Sequence, residues 1–212
     1  MSSKNKRLLM THSLLNSWDY MFKAHEEYQE SAYNGFMRSL NRIRSEPTAA
    51  MKKGLEFEQL VTDLIQTPDK FTEDFEHAYL PGALKIAEYL SIPYSVTQMK
   101  ISRRIEINGI AYLLYGVPDW IGGGVIYDIK FKENLSNYDI GSYLDNTQHR
   151  MYFELVPEAE IFKYLISNGH KIYCEEYRRE DCRPIQETII EFEGWLKMYN
   201  LWEVYEQKWA AR

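Results

Sequence analysis

One stretch, GVPDWIGGGVIYDIKFK at residues 116–132, limits what the rest of the chain can become. Val, Ile, Tyr, Phe and Trp favour a half-buried pleated sheet, and the run Gly122-Gly123-Gly124 favours a tight turn between two strands. Three charged side chains, Asp119, Asp128 and Lys130, sit in the middle of these strand formers. Charges in such a place cost free energy unless they are paired, solvated or bound to a metal. With Gly123-Gly124 as a two-residue turn, Gly122 faces Val125, Ile121 faces Ile126, Trp120 faces Tyr127 and Asp119 faces Asp128. Opposed side chains share one sheet face with Cβ atoms about 4.5–5.5 Å apart. Two carboxylates there repel each other, and a divalent cation between them would turn the repulsion into binding. The two-residue period puts Lys130 on the same face, with Val125, Tyr127, Ile129 and Phe131 on the other. A second reading stays open, in which Asp119 is a turn residue after Pro118, and Asp128 and Lys130 form a surface ion pair. A three-residue turn would instead set Pro118 against Asp128.

Around this hairpin the periodicity changes several times. Residues 1–7 read as a frayed polar start, after which Thr11 or Ser13 can cap a helix through LLNSWDYMFKAHEEYQ. Helical spacing recurs at 35–45, at 49–66 with Pro68 as its stop, and at 73–91, where Pro81-Gly82 should kink it. Residues 96–107 alternate, Asn108-Gly109 marks a hairpin, and 110–121 continue as a strand, so that 125–132 completes a three-strand meander. Residues 139–156 return to helical spacing. A second hairpin forms about Asn168-Gly169, and 185–209 read as a long last helix. The expectation is one α+β domain over residues 1–212, a central mostly antiparallel or mixed sheet flanked by helices, with an N-terminal helical elaboration. At 212 residues, 45% apolar and 26% charged, one sizeable core is affordable. The net charge of −6 argues against holding duplex DNA by bulk electrostatics alone, though a metal can offset an acidic groove. Two cysteines, no leader-like start and no apolar run near the roughly 18 residues of a bilayer span point to a cytoplasmic protein with no membrane partner.

GVPDW followed by DIK resembles the motif of the PD-(D/E)XK nuclease superfamily, with Pro118-Asp119 as the PD and Asp128-Ile129-Lys130 as the (D/E)XK. The RecB-like exonuclease branch is the most similar. SLLNSWDYMF resembles its opening helix, GLEFE places Gly54 and Glu58 at its glycine and acidic positions, and QHRMY (Gln148 to Tyr152) resembles its Q-x-x-x-Y element. The resemblance spans about residues 10–175. It implies a restriction-endonuclease-like core and a Mg²⁺- or Mn²⁺-dependent nuclease acting on DNA ends or single strands, in recombination, repair or phage DNA metabolism. A catalytically silent nucleic-acid-binding or scaffold member of the fold and a restriction-type endonuclease are the alternatives. Metal ligands would be Glu58, Asp119, Asp128 and the carbonyl of Ile129, hard oxygen donors suited to a hard cation. Lys130 would orient the attacking water or stabilise developing negative charge. Gln148 and Tyr152 share a helix face and would touch a phosphate oxygen, the lysine or a base. Gly54 would let its helix approach the sheet closely. Arg150 could reach a phosphate, and His149 is read as a surface residue. Lys100, Arg103, Arg104 and Lys132 are either a DNA track or a solvated sheet edge. Cys174 and Cys182 cannot complete a four-thiolate site, so no iron–sulfur cluster is expected. Strand polarity and oligomeric state are not readable from these residues.

Overall fold

The computed structural model describes residues 7–72 and 74–211, and residues 1–6 of the expected polar start lie outside that range. A short strand, β1 (Arg7–Thr11), leads into α1 (His12–Lys23), whose first turn is closed by the Thr11 hydroxyl accepting from the Leu14 N–H at 3.3 Å. Then follow α2 (Gln29–Leu40), α3 (Ala49–Gln66) and α4 (Leu80–Leu90). The strand-rich middle contains β2 (Val96–Thr97), β3 (Ile101–Ile107), β4 (Ile110–Gly116), β5 (Trp120–Gly122) and β6 (Val125–Phe131). The chain finishes with α5 (Thr147–Leu155), β7 (Ile161–Ser167), β8 (Ile172–Arg178), α6 (Ile185–Met198) and α7 (Trp202–Lys208). The class is α+β with mixed sheets flanked by helices, as the sequence pattern implies.

The expected meander does not form. β4 joins a three-stranded sheet of order β1-β4-β3, and β5 joins a five-stranded sheet of order β2-β5-β6-β7-β8. The break falls at Val117-Pro118-Asp119, where proline cannot donate to a ladder and the chain passes from one sheet to the other. β6 and β7 run parallel, joined by the crossover helix α5, and β1 runs parallel to β4. Helix bounds also move. α2 ends at Leu40, and α4 begins at Leu80, so Pro81 sits in its first turn, where its missing N–H costs nothing and no kink follows. Residues 139–146 are turns, leaving α5 only Thr147–Leu155.

Both faces of the five-stranded sheet are covered. Trp120, Tyr127, Ile129 and Leu165 pack beneath Phe57, Leu60 and Val61 of α3 and Ala83, Ile86 and Leu90 of α4. Ile126, Phe162, Tyr164 and Ile166 face a larger core built with α1, α5, α6 and the small sheet. The polar face of β6 is thus roofed rather than open to solvent. The start and end of the described chain also clasp. The Leu9 N–H donates to the Trp209 carbonyl and the Ala211 N–H to the Arg7 carbonyl, each at 2.7 Å.

Candidate active site

The turn at Gly123-Gly124 has the expected length. Both glycines have positive φ, +58° and +77°, as the favoured two-residue hairpin turn needs. The register follows, with Gly122 opposite Val125, Ile121 opposite Ile126 and Trp120 opposite Tyr127. Asp119 lies one step beyond this ladder, and its Oδ2 accepts from the Ile129 N–H at 2.8 Å. That bond ties the acid before β5 to the strand carrying Asp128 and Lys130.

Asp128 is buried, not a surface ion-pair member. Its Oδ1 accepts from the Gln148 side-chain amide. Its Oδ2 is closed off from solvent, has no well-directed hydrogen bond, and lies 2.5 Å from the Lys130 ammonium. Burial pulls the Lys130 pKa down, but the charge and hydrogen bond of Asp128 outweigh it, so the ammonium is held above its ordinary range. Lys130 therefore stays charged at neutral pH.

Glu58 reaches the same place from α3. Its carboxyl is raised above its ordinary pKa, by burial first and then by the negative charge of Asp128, with Lys130 opposing. Asp119 is raised well above the usual range, by burial, then by Asp128 and by Glu58. Glu58 and Asp119 each feel the negative charge of Asp128, so the three acids form one like-charged cluster. Among the described residues, however, no group of three or more His, Cys, Asp or Glu side chains converges as a finished metal site. The hydrogen bonds show why. Asp119 Oδ2 is turned onto Ile129, Asp128 is held by Gln148 and Lys130, and the Gln98 amide nitrogen lies between Glu58 Oε1 (2.6 Å) and Asp119 Oδ1 (3.3 Å). The donor set remains one of hard carboxylate and carbonyl oxygens, which fits Mg²⁺ or Mn²⁺.

The roof comes from α1 and α5. Asn146 caps α5 by accepting from the Gln148 N–H at 2.8 Å. Asn16 of α1 donates to Asn146 Oδ1 at 3.0 Å and accepts from the Thr147 N–H at 3.1 Å, which fixes where Gln148 emerges. Tyr152 is in the core, with its hydroxyl donating to the Val117 carbonyl at 3.0 Å. A Cβ on Gly116 would lie 2.3 Å from the Tyr152 ring, so only glycine admits this contact. Tyr152 thus braces the Val117–Asp119 crossover and cannot offer its ring to a base. Gln148 holds Asp128 rather than reaching a phosphate or the lysine.

Other expectations change too. His149 is fully buried, stacked on Tyr177 at 4.7 Å, and burial lowers its pKa to about 4. Arg150 is also buried and spends its guanidinium on the Arg183 and Pro184 carbonyls and on Thr188, so it does not reach for phosphate. A Cβ on Gly54 would meet nothing within 4 Å, so this glycine mediates no close approach. Arg103 is engaged with Glu154, its Nη1 donating to the backbone carbonyl at 2.9 Å. Lys132 lies over the rings of Tyr138 and Tyr143, and Lys100 and Arg104 are exposed. Cys174 and Cys182 are free thiols. Sequence reasoning overlooked His12, Asn16 and Gln98. His12 sets its ring edge-on to Tyr152 at 5.4 Å, and its pKa falls to about 4 through burial and then the Lys130 charge. None of the three had a local signal, because each acquires its neighbours only through tertiary packing.

No helix among the described residues is long and apolar enough to cross a membrane. No protein-family model matches the chain, and no curated protein does. Among solved structures, the crystal structure of SSO0001 is similar over 93% of this chain and 79% of that one, with a TM-score of 0.51 and 13% sequence identity. At that identity the likeness is one of fold, a fold that in this chain carries the acid cluster on β6 and the strand entering it.

Proposed function

We propose that the chain is a metal-dependent nuclease hydrolysing DNA phosphodiester bonds, of the PD-(D/E)XK kind and its RecB-like branch, acting on ends or single strands. The observation that supports this reading is the cluster itself: Asp119 tied to β6 through the Ile129 N–H, Asp128 beside Lys130, and Glu58 of α3 sharing the Gln98 amide with Asp119. A structural ion pair explains Asp128 and Lys130 alone. It does not explain two further half-buried acids beside them, whose mutual repulsion costs stability unless something uses it.

Glu58, Asp119, Asp128 and the Ile129 carbonyl are the residues that would hold Mg²⁺ or Mn²⁺. When bound, the cation supplies charge neutralisation at the phosphoryl oxygens and lowers the pKa of a bound water. The chain's own groups do the rest. Lys130, held beside Asp128 as an ammonium, would orient the attacking water or stabilise developing negative charge. Gln148 fixes the rotamer of Asp128, and the Ile129 N–H fixes that of Asp119. Tyr152 holds the crossover that delivers Asp119 to the site. The test is incubation of the purified protein with end-labelled linear DNA and with circular DNA, in Mg²⁺, Mn²⁺ or EDTA. Metal-dependent release of nucleotides from ends is expected. No cleavage of any substrate in either metal would remove the reading.

A further inference from the structure

Gln98 has a backbone that L side chains rarely adopt, φ +48°, directly after β2. Its N–H donates to the Asp119 carbonyl at 3.2 Å, so the strained residue is anchored to the segment it faces. Its side chain is exposed, yet it does not turn to solvent. The amide nitrogen lies on two carboxylates from different elements, Glu58 of α3 and Asp119 before β5. Two carboxylates that share one amide nitrogen, at 2.6 and 3.3 Å, lie close enough to repel each other, and the donor between them offsets part of that repulsion. A neutral amide can donate to two anions, but it brings no net charge and leaves the repulsion only partly offset.

We propose that Gln98 is a placeholder for the divalent cation, a positioning residue that keeps Glu58 and Asp119 apart and ordered and must withdraw before a cation can bridge them. This rests on the reading of the cluster as a cation site and names what sets its affinity. The nitrogen occupies the space between the two oxygens that a shared cation needs, and the two cannot be there together. Exposure of the side chain makes withdrawal cheap, because water replaces the lost bonds at once. The placeholder also accounts for carboxylates that are neighbours without converging.

The experiment is calorimetric titration of the DNA-free protein with Mn²⁺ at neutral pH, for wild type, Gln98→Ala, Gln98→Met and Asp128→Asn. Melting temperatures of each are taken with and without Mn²⁺. Removing the amide should tighten Mn²⁺ binding about tenfold, the size expected for releasing hydrogen bonds to charged acceptors. The metal-free melting temperature should fall in both Gln98 variants, and the rise caused by Mn²⁺ should grow. Met keeps the length without the donor, so agreement between the two variants assigns the effect to the amide. Unchanged or weaker binding in both variants, with wild-type binding lost in Asp128→Asn, would overturn the placeholder and leave the cation site standing. Mn²⁺ binding to none of the proteins would overturn both.

Discussion

Buried Glu175 and the half-buried pair Glu58–Asp119 are acids partly or wholly withdrawn from water within one small protein, and their surroundings treat them in opposite ways. Glu175 on β8 is buried, but it accepts from the hydroxyls of Tyr138 and Tyr177 and from the N–H groups of Gly141 and Tyr143. Burial alone would raise its pKa, and these donors outweigh burial so that it falls below its ordinary value. Glu58 and Asp119 have fewer donors and more negative neighbours, and both are pushed up. A buried charge whose donors are all supplied by the fold is a structural element, here the anchor of the 138–143 loop. Half-buried charges left short of donors and beside like charges store unfavourable energy, and such sites are where a chain is prepared for something it does not itself contain.

Charge removal should separate the two regions most sharply. Asp119→Asn is expected to reduce cleavage by about a thousandfold or more. Its melting temperature should hold or rise, because a mutually repelling charge is gone while the side-chain oxygen can still accept from Ile129. Glu175→Gln should do the reverse, with a stability loss of about 2 kcal/mol from weakened charge-assisted bonds. Residual folded protein should cleave normally unless the loop shifts. Denaturant melts beside DNA cleavage assays read both, and a stability loss in Asp119→Asn as large as that in Glu175→Gln would erase the distinction.

Gln148→Ala lies between these extremes. It strips a donor from buried Asp128, so cleavage should drop about ten- to a hundredfold, the usual cost of losing support for a metal ligand. A stability loss of about 1–2 kcal/mol should accompany it. Tyr152→Phe should act less strongly on catalysis, since it frees the Val117 carbonyl without touching an acid, at a cost of about 1 kcal/mol. A pair of surface residues touching substrate would lower cleavage without lowering melting, and burial of both side chains is why a stability loss is expected instead. If Tyr152→Phe lowered cleavage more than Gln148→Ala, the crossover would matter more than the rotamer of Asp128.

The effect that is smallest at neutral pH is a pH dependence of stability, which acts only in acid. The His149 pKa is about 4 when folded against 6.5 as its ordinary value, so the unfolded chain takes up the proton first. Stability should be complete above pH 6.5 and decline as pH falls toward 4. The raised carboxyls of Glu58 and Asp119 work in the other direction, since protonation relieves their repulsion. Melting curves of His149→Phe should therefore show a shallower acid-side decline than wild type, and an identical slope would remove His149 as its source.

Much of the site could be read in the sequence because its central pairing is local. The turn glycines and the two-residue period determine where Asp119, Asp128 and Lys130 stand, and no distant element is needed. What escaped reading is non-local. Alternation in 110–121 is the same whether the strand stays in one sheet or crosses to another, and IFKYLIS looks the same paired parallel or antiparallel. RLLMT was too short to show a period. His149 and Arg150 were misread because α5 is buried on all sides from Thr147 to Phe153, where an amphipathic rule has no exposed face to find. Gln98 is informative only through its neighbours on α3 and before β5.

The clasp between the first strand and the last turn affects how the molecule is made. The open side of β1 is covered by the backbone of Trp209 and Ala211, partners about 200 positions away along the chain. A ribosome delivers residues in order, so RLLMT emerges about 200 positions before its partners and keeps an unsatisfied, apolar edge over that interval. α1, which carries His12 and Asn16 over the acid cluster, follows directly from that strand. The cover over the acid cluster can therefore take its final shape only after α7 and Ala211 arrive, and a chain stalled before them would expose a strand edge prone to stick to its neighbours.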